Sequence, residues 1–400
     1  MRATRSLAAA ALAALACAPP AAAQGEAPPA RWETVGRAAV GTRTTGLAVY
    51  RGRDGRDYAL TGTLGACSGC RGERVYVWDL GDPARPTLVD SVAVDARVVA
   101  DVAVNAEGTL AVATRQQSRS RRDGMVVLDL ADPAHPRIAA DYFETVTGGV
   151  LNAAIDGRHA YVVNAGTADM HVIDLSDPAD PREVGRWGLR DRPDRHLQDV
   201  AVRDGLAYLS YWDDGLVILD VGKGVEGGSP ERPALVGRFL YRTERDGREI
   251  GNTSTAVPHT NRAGRAYVFV GDKIFPGSLD LNRPVETAGR VHVLDVSRPS
   301  APVEVARWEV PGAGVAALAV RGDTLYAAFH NGGLRALDVS GELRGELRSQ
   351  GRELAALVTE DGRGFRAGLP FTLEVQPHGD LVYAADLNSG LWAARLVPAP

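Results

Sequence analysis

A chain of 400 residues with 45% hydrophobic side chains can bury a large core, and its formal net charge of −5 excludes the global basic field of a nucleic-acid or anionic-membrane binder. After the first two dozen residues no apolar run approaches the length of a membrane-spanning helix, so a transmembrane segment is excluded as well.

The N-terminus differs from the rest. Arg2 and Arg5 precede LAAAALAALA, and APPAAAQ supplies small residues before Gln24, the layout of a secretory signal peptide. The expectation is an exported protein, periplasmic, at the outer surface or extracellular, with residues 1–23 removed and 24–31 a flexible linker. Two processing routes are open. ALAC ends in a weak lipobox at Cys17, which would leave a lipid anchor; cleavage near Ala23 is preferred because Leu15 sits one place later than a lipobox prefers. After either cut Cys67 and Cys70 form a pair within TGTLGACSGCRGERVYVWDL, between two strand-like runs. An oxidising compartment favours a disulfide between them. A redox site would want this spacing to open a helix, and zinc would want two further ligands; neither context is visible, and unpaired thiols are the remaining alternative.

From residue 75 onward one phrase returns: VYVWDLGDPARPTLVDSV at 75–92, MVVLDLADPAHPRIAADY at 125–142, MHVIDLSDPADPREVGRW at 170–187 and VHVLDVSRPSAPVEVARW at 291–308, with looser copies from LVILDV at 216 and LRALDV at 334. Such a period marks a structural repeat. Each copy is a strand, a proline-fixed turn and a second strand. Upstream lie two more short strands, as in QDVAVRDGLAYLSY at 198–211, so the unit is four antiparallel strands. Inner strands are GLAVY at 46, DVAVN at 101, NAAID at 152, DVAVR at 199, STAVP at 254, ALAVR at 317 and TLEVQ at 372. The expected fold is all-β: one seven-bladed β-propeller over residues 32–400. The last unit lacks a fourth strand, whereas WETVGRAAV at 32–40 resembles the outer strands REVGRW and VEVARW, so the N-terminal strand should complete the last blade. The polar stretches 240–253, 271–290 and 341–368 read as insertions, the last with ELRGELRSQGRELAALV, which could hold a short helix.

LVILD at 216–220 nearly spells the repeat for which the LVIVD-repeat proteins are named, and DLSDPA followed by proline continues as it does there. The chain resembles that family over most of its mature length. The resemblance implies an exported or surface-associated propeller whose biochemical role is generally unassigned. Inner strands in such proteins often begin with a histidine near the axis. Here only His196 lies close to such a place, and Ser254 stands where one would be expected in the fifth blade.

Side chains alternate faces along a strand. On that rule Gly46, Asp101, Asn152, Asp199, Ser254, Ala317 and Thr372 form an upper ring around the axis, and Ala48, Ala103, Ala154, Ala201, Ala256, Ala319 and Glu374 a lower one. Alanines suit a place where seven strands converge. The upper ring, with Glu374 beneath it, offers hard oxygen ligands suited to a divalent cation such as Ca²⁺ or Mg²⁺; the plainer alternative is a water-filled channel. No other cofactor is expected. Loops after the second strand and between blades share one face and should gather His196, Tyr211, Trp212, Asp213, Asp214, Asp272, Lys273, Phe329, His330, Asn331 and Asp386, aromatics mixed with charges as in a binding surface. The repeated aspartates Asp79, Asp129, Asp174, Asp220, Asp295 and Asp338 are not a catalytic set: symmetric placement spreads them around the disc, and each is positioned to satisfy turn amides.

Local enzyme signatures are absent. GACSG at 65–69 has the spacing of a nucleophile elbow but lies in a hairpin loop, and neither H-E-x-x-H nor a phosphate-binding loop occurs. Two readings follow. One is a non-catalytic exported binding or scaffold protein holding a protein, glycan or small ligand on its loop face. The other is a metal-dependent hydrolase or oxidase whose ion sits in the channel mouth, held by some of Asp101, Asn152, Asp199, His196, Glu374 and His330. The second requires at least three of these to meet at one point.

Overall fold

The computed structural model describes residues 29–400 apart from 66–71, 192–193, 241–242, 246–247, 251, 276, 278 and 363. Six consecutive antiparallel sheets, with inner strands Arg43–Arg51, Val102–Val104, Val150–Asp156, Leu197–Arg203, Thr253–Thr260 and Val315–Arg321, are followed by a seventh that begins at Thr372–His378. The second and third strands of a blade are buried on both faces, as in Leu206–Tyr211 and Gly215–Asp220, which is why they read as unbroken apolar runs. Inner hairpins are tight: Asp204 and Gly205, both at positive φ (53° and 73°), turn the chain between the first two strands of blade 4. The core lies between neighbouring blades; Tyr161, Met170 and Val172 of blade 3 pack with Leu209, Val217 and Leu219 of blade 4.

The repeated phrase has a mechanical meaning. Its aspartate closes the end of the third strand, accepting the backbone N–H two residues on: Gly81 on Asp79, Ala131 on Asp129, Ser176 on Asp174, Gly222 on Asp220, Ser297 on Asp295 and Ser340 on Asp338. The turn after it then docks on the outer strand of the preceding blade. That strand carries a bulge in every blade, between the partners of Val172 and Ile173 in blade 3 for example. At Gly36, Gly185 and Gly237 the carbonyl oxygens of Pro83, Pro230 and Pro299 come so close that a Cβ would lie 2.1, 2.2 and 2.2 Å from them.

The N-terminal strand Ala30–Ala38 pairs antiparallel with Gly390–Pro398, from Ala30 opposite Pro398 to Ala38 opposite Leu391, and makes the fourth strand of blade 7. Near the axis blade 7 is stitched to blade 1 by Gln376, whose amide accepts from Val49 N–H (2.7 Å) and donates to Val49 C=O (2.9 Å). The insertion at 341–352 differs from expectation. It holds no helix: Gly341, Gly345 and Gly351 take φ of 66°, 64° and 68°, which interrupts any helical run. Instead Gly345–Glu346 adds in parallel beside Val303–Trp308 of blade 5, covering that edge, and Glu353–Leu357 is the outer strand of blade 6. Among the described residues no helix is long and apolar enough to cross a membrane.

Candidate functional site

The register of the inner strands fixes which side chains face the axis. Val102, Ala153, Val200, Ala256 and Val375 pair with equivalent residues of their second strands, so Asp101, Asn152, Asp199, Thr255 and Glu374, one place earlier, occupy one ring. This corrects the expected rings in two blades. Glu374 belongs with Asp101, Asn152 and Asp199, where Thr372 was expected, and Thr255 takes the place of Ser254. By pairing, TAVP and EVQP rather than STAVP and TLEVQ stand where DVAV stands in blade 4, and the register shift just before the ring position is common to these blades. Ser254 lines the same cavity, but its hydroxyl donates to Gly271 O (3.1 Å) and Val315 O (2.9 Å); the Thr372 hydroxyl is buried against that of Thr359 (2.7 Å).

Much of this ring laces blades together. Asp101 accepts from its own strand's Val102 N–H (2.8 Å) and from Ala153 N–H of the next blade (3.0 Å), Asn152 accepts from Val200 N–H (3.2 Å), and Asp199 from the Thr255 hydroxyl and Ala256 N–H. Glu374 stands apart. Among the described residues nothing hydrogen-bonds its carboxyl group, which responds to burial and then to the charges around it.

These side chains open into a cavity of about 360 Å³ at the top of the channel, shared with Thr45, Gln198 and Lys273 over a floor of alanines and leucines. Lys273 follows the second strand of blade 5, and its ammonium lies 5.7 Å from the centre of the Trp212 ring, a cation–π contact. Electrostatics in the cavity are strained. Burial, and then the negative charge of Asp199, push the Asp101 carboxyl up to about 6. Burial also raises Asp199, and burial with the charges of Asp101 and Asp199 holds Glu374 well above the carboxylate range. In the opposite sense burial lowers the Lys273 ammonium to about 8, although Glu374 and Asp199 pull it back up. Three carboxyl groups and one amine therefore carry fewer charges than their number allows.

Lys273 is the side chain whose axial role sequence reasoning missed, placing it only among the loop-face residues. A signal was present: it is one of just two lysines, with Lys223, among 45 Lys and Arg residues. The described part of the insertion 273–288 begins at this lysine, is closed at its root by the Ile274–Ala288 bridge, and reaches blade 1. There Arg43 donates to Leu281 O and Asn282 Oδ1 (both 3.0 Å), and Arg366 donates to the same Asn282 oxygen (3.0 Å), so the insertion roofs one side of the mouth.

The expected loop-face set is smaller than the chain order suggests. His196 is exposed, edge-on to Trp212 (5.8 Å) and bonded to Gln198 of the cavity wall (3.0 Å); Trp212 and Asp213 also keep surface. Tyr211, Phe329 and Asp386 are fully buried. Tyr211 donates to Ala168 O, Phe329 packs on Trp308, and Asp386 caps the N–H groups of Phe371, Asn388 and Ser389. Asp214 is buried in an ion pair with Arg195. His330 lies sealed between Phe275 (5.5 Å) and Phe371 (4.5 Å), with no hydrogen bond to either ring nitrogen among the described residues; burial and the Lys273 charge hold its imidazole well below its usual range. Second strands end inside the blade stack, so their last residues pack rather than project. Among the described residues no three His, Cys, Asp or Glu side chains come together as metal ligands. Cys67 and Cys70, like Cys17 and the rest of residues 1–28, where a signal peptide was expected, lie outside the described residues.

Seven four-stranded blades around a polar axial cavity make this protein a seven-bladed β-propeller. The family model of the LVIVD repeat matches residues 147–188, 194–240, 288–310 and 313–342. Over those segments the chain carries LVIVD repeats. No curated protein matches it. Solved structures of similar shape include hydrazine synthase of Kuenenia stuttgartiensis (16% identity, TM-score 0.57, 91% of this chain and 97% of that one). The Cps50 (Swd1) β-propeller domain of Myceliophteria thermophila (11%, 0.56, 92% and 100%) and the computationally designed Ika8 protein (10%, 0.53, 91% and 99%) are also similar. At these identities the likeness is one of fold alone.

Proposed function

We propose that the protein is an exported, non-catalytic binding protein whose ligand seat is the mouth of the axial channel on the loop face. The observation that carries this reading is the cavity itself: a rigid ring from several blades presents Asp101, Asp199 and Glu374 with Lys273 in one concave site, walled by Gln198 and bordered by Trp212 over the Lys273 ammonium. The unbonded Glu374 supports it further, because a carboxylate that laces no blade is free to meet a ligand. Its occupant is a small polar molecule or the end of a larger partner or glycan. A divalent cation such as Ca²⁺ on the oxygens of the ring is the alternative occupant.

The test is differential thermal stability of the mature protein against a panel of small polar metabolites, oligosaccharides and calcium chloride, repeated on Glu374→Gln. A ligand that raises the melting temperature of the parent and not of the variant is the expected result. If nothing in the panel moves the parent, and material purified natively carries no small molecule by mass spectrometry, the seat is not a binding site.

A further inference from the structure

We propose that Lys273 is a nucleophilic amine and that the cavity captures small carbonyl compounds, aldehydes above all, as a protonated imine on its Nζ; this rests on the reading of the mouth as a ligand seat. Several independent features meet at this residue. In a chain that uses arginine almost everywhere for positive charge, the cavity holds one of the two lysines. Arginine would serve a structural ion pair at least as well, with a fixed fork and a charge it never gives up, whereas only lysine can offer a lone pair. Yet Lys273 is not used as an ion-pair partner: among the described residues no carboxylate closes on its ammonium, and its near neighbour is the face of Trp212. It stands in a cavity wide enough for a small organic molecule, with Asp199 and Glu374 near enough to act on its charge. Burial shifts the amine toward its free base near neutral pH, the usual way in which a protein activates lysine.

The chemistry balances with groups already present. The Nζ lone pair attacks the carbonyl carbon, and the carbonyl oxygen takes a proton from the protonated Glu374 carboxyl. The nitrogen passes one proton to the Asp199 carboxylate, giving a neutral carbinolamine. That hydroxyl then leaves as water with the proton returned by Asp199, and the C=N⁺ bond forms. The sum is amine plus aldehyde plus one proton, giving iminium plus water, and no oxidant or reductant enters. The product cation keeps the place of the ammonium over the indole, with the now ionised Glu374 beside it.

The chain carries its own control, since Lys223 is exposed on the loop after the third strand of blade 4. The mature protein is treated with butyraldehyde and sodium cyanoborohydride, which fixes an imine as a secondary amine, and peptide mass spectrometry follows both lysines with time. Lys273 is expected to be modified at least roughly tenfold faster than Lys223 at pH 7. Its rate should climb as pH rises through about 8 and fall several-fold in Glu374→Gln. Equal rates at the two lysines would overturn the inference. If equal rates accompany a Glu374-dependent thermal shift with some other small molecule, carbonyl capture is wrong and the ligand seat stands; equal rates with no such shift remove both.

Discussion

At the scale of single residues, the axial cavity stores unfavourable electrostatics, and the sign of its pH dependence follows from the direction of each shift. Asp101 is raised from 3.8 to about 6 and Glu374 is raised well above its ordinary value, so the folded state binds more protons than the unfolded chain at and above pH 4. Their contribution to stability is full at acid pH and is lost as pH rises through the folded values. Glu374→Gln removes an acid that laces nothing and that folding keeps from ionising. It should stabilise the fold by about 1 kcal/mol at pH 7.5, with the gain vanishing near pH 4, as read by urea unfolding at both pH values. A variant no more stable than the parent at pH 7.5 would show that Glu374 is ionised and well paired with Lys273. His330 works in the opposite sense. Its imidazole is held neutral, so its contribution is present above the ordinary histidine value and is lost as pH falls, when the unfolded chain takes up a proton that the folded one refuses. His330→Leu deletes two unsatisfied ring nitrogens at similar volume and should gain about 1 kcal/mol at neutral pH, and more at pH 5.5.

At the scale of strands and turns, the repeat is held together by a contact between its copies. The carbonyl of Pro230 sits where a Cβ on Gly185 would be, 2.2 Å away, and that oxygen belongs to the backbone of a turn whose neighbouring glycines are fixed by Asp220. Gly185→Ala should therefore cost about 1–3 kcal/mol, while the same change at Gly55, which has nothing near it, acts only through its φ of 79°. Circular dichroism melts of Gly185→Ala beside Gly237→Ala test this, and unchanged melting in both would mean that the turns are not docked. Blade number, strand order and the closing strand were legible in the sequence because each rests on alternation and on turn residues that recur seven times or nearly so. Bulges were not. The bulged residue before the ring position has no composition of its own, so nothing in the sequence marked TAVP and EVQP, rather than STAVP and TLEVQ, as the runs equivalent to DVAV, and two members of the ring lie one and two places further on. The importance of Lys273 was equally hidden to pattern reading, since it lies just after a strand, where only the three-dimensional closure of the ring turns a loop residue toward the axis.

At the scale of the whole molecule, a propeller has no stable end until its ring is shut, because each blade buries its apolar faces against two neighbours. Here the shutting contact joins positions as far apart as the chain permits, Ala30 with Pro398, so the closing step has the largest loop entropy of any in the fold and must be among the last. What repays it is specific. Trp32 is buried against Tyr326 of blade 6 (6.0 Å), and the strand that carries it satisfies the edge of Gly390–Pro398. Trp32→Ala should cost about 3 kcal/mol through the cavity it leaves. Removing residues through Ala38 should do something different in kind: the exposed edge of Gly390–Pro398 would recruit other chains, giving concentration-dependent association by light scattering rather than a uniformly softer monomer. A synthetic peptide of residues 30–38 should return the truncated protein to a monomer by filling that edge. A truncated protein that stays monomeric and melts like Trp32→Ala would place the stability of the ring in the blade interfaces alone, with the strand closure contributing only the burial of one indole.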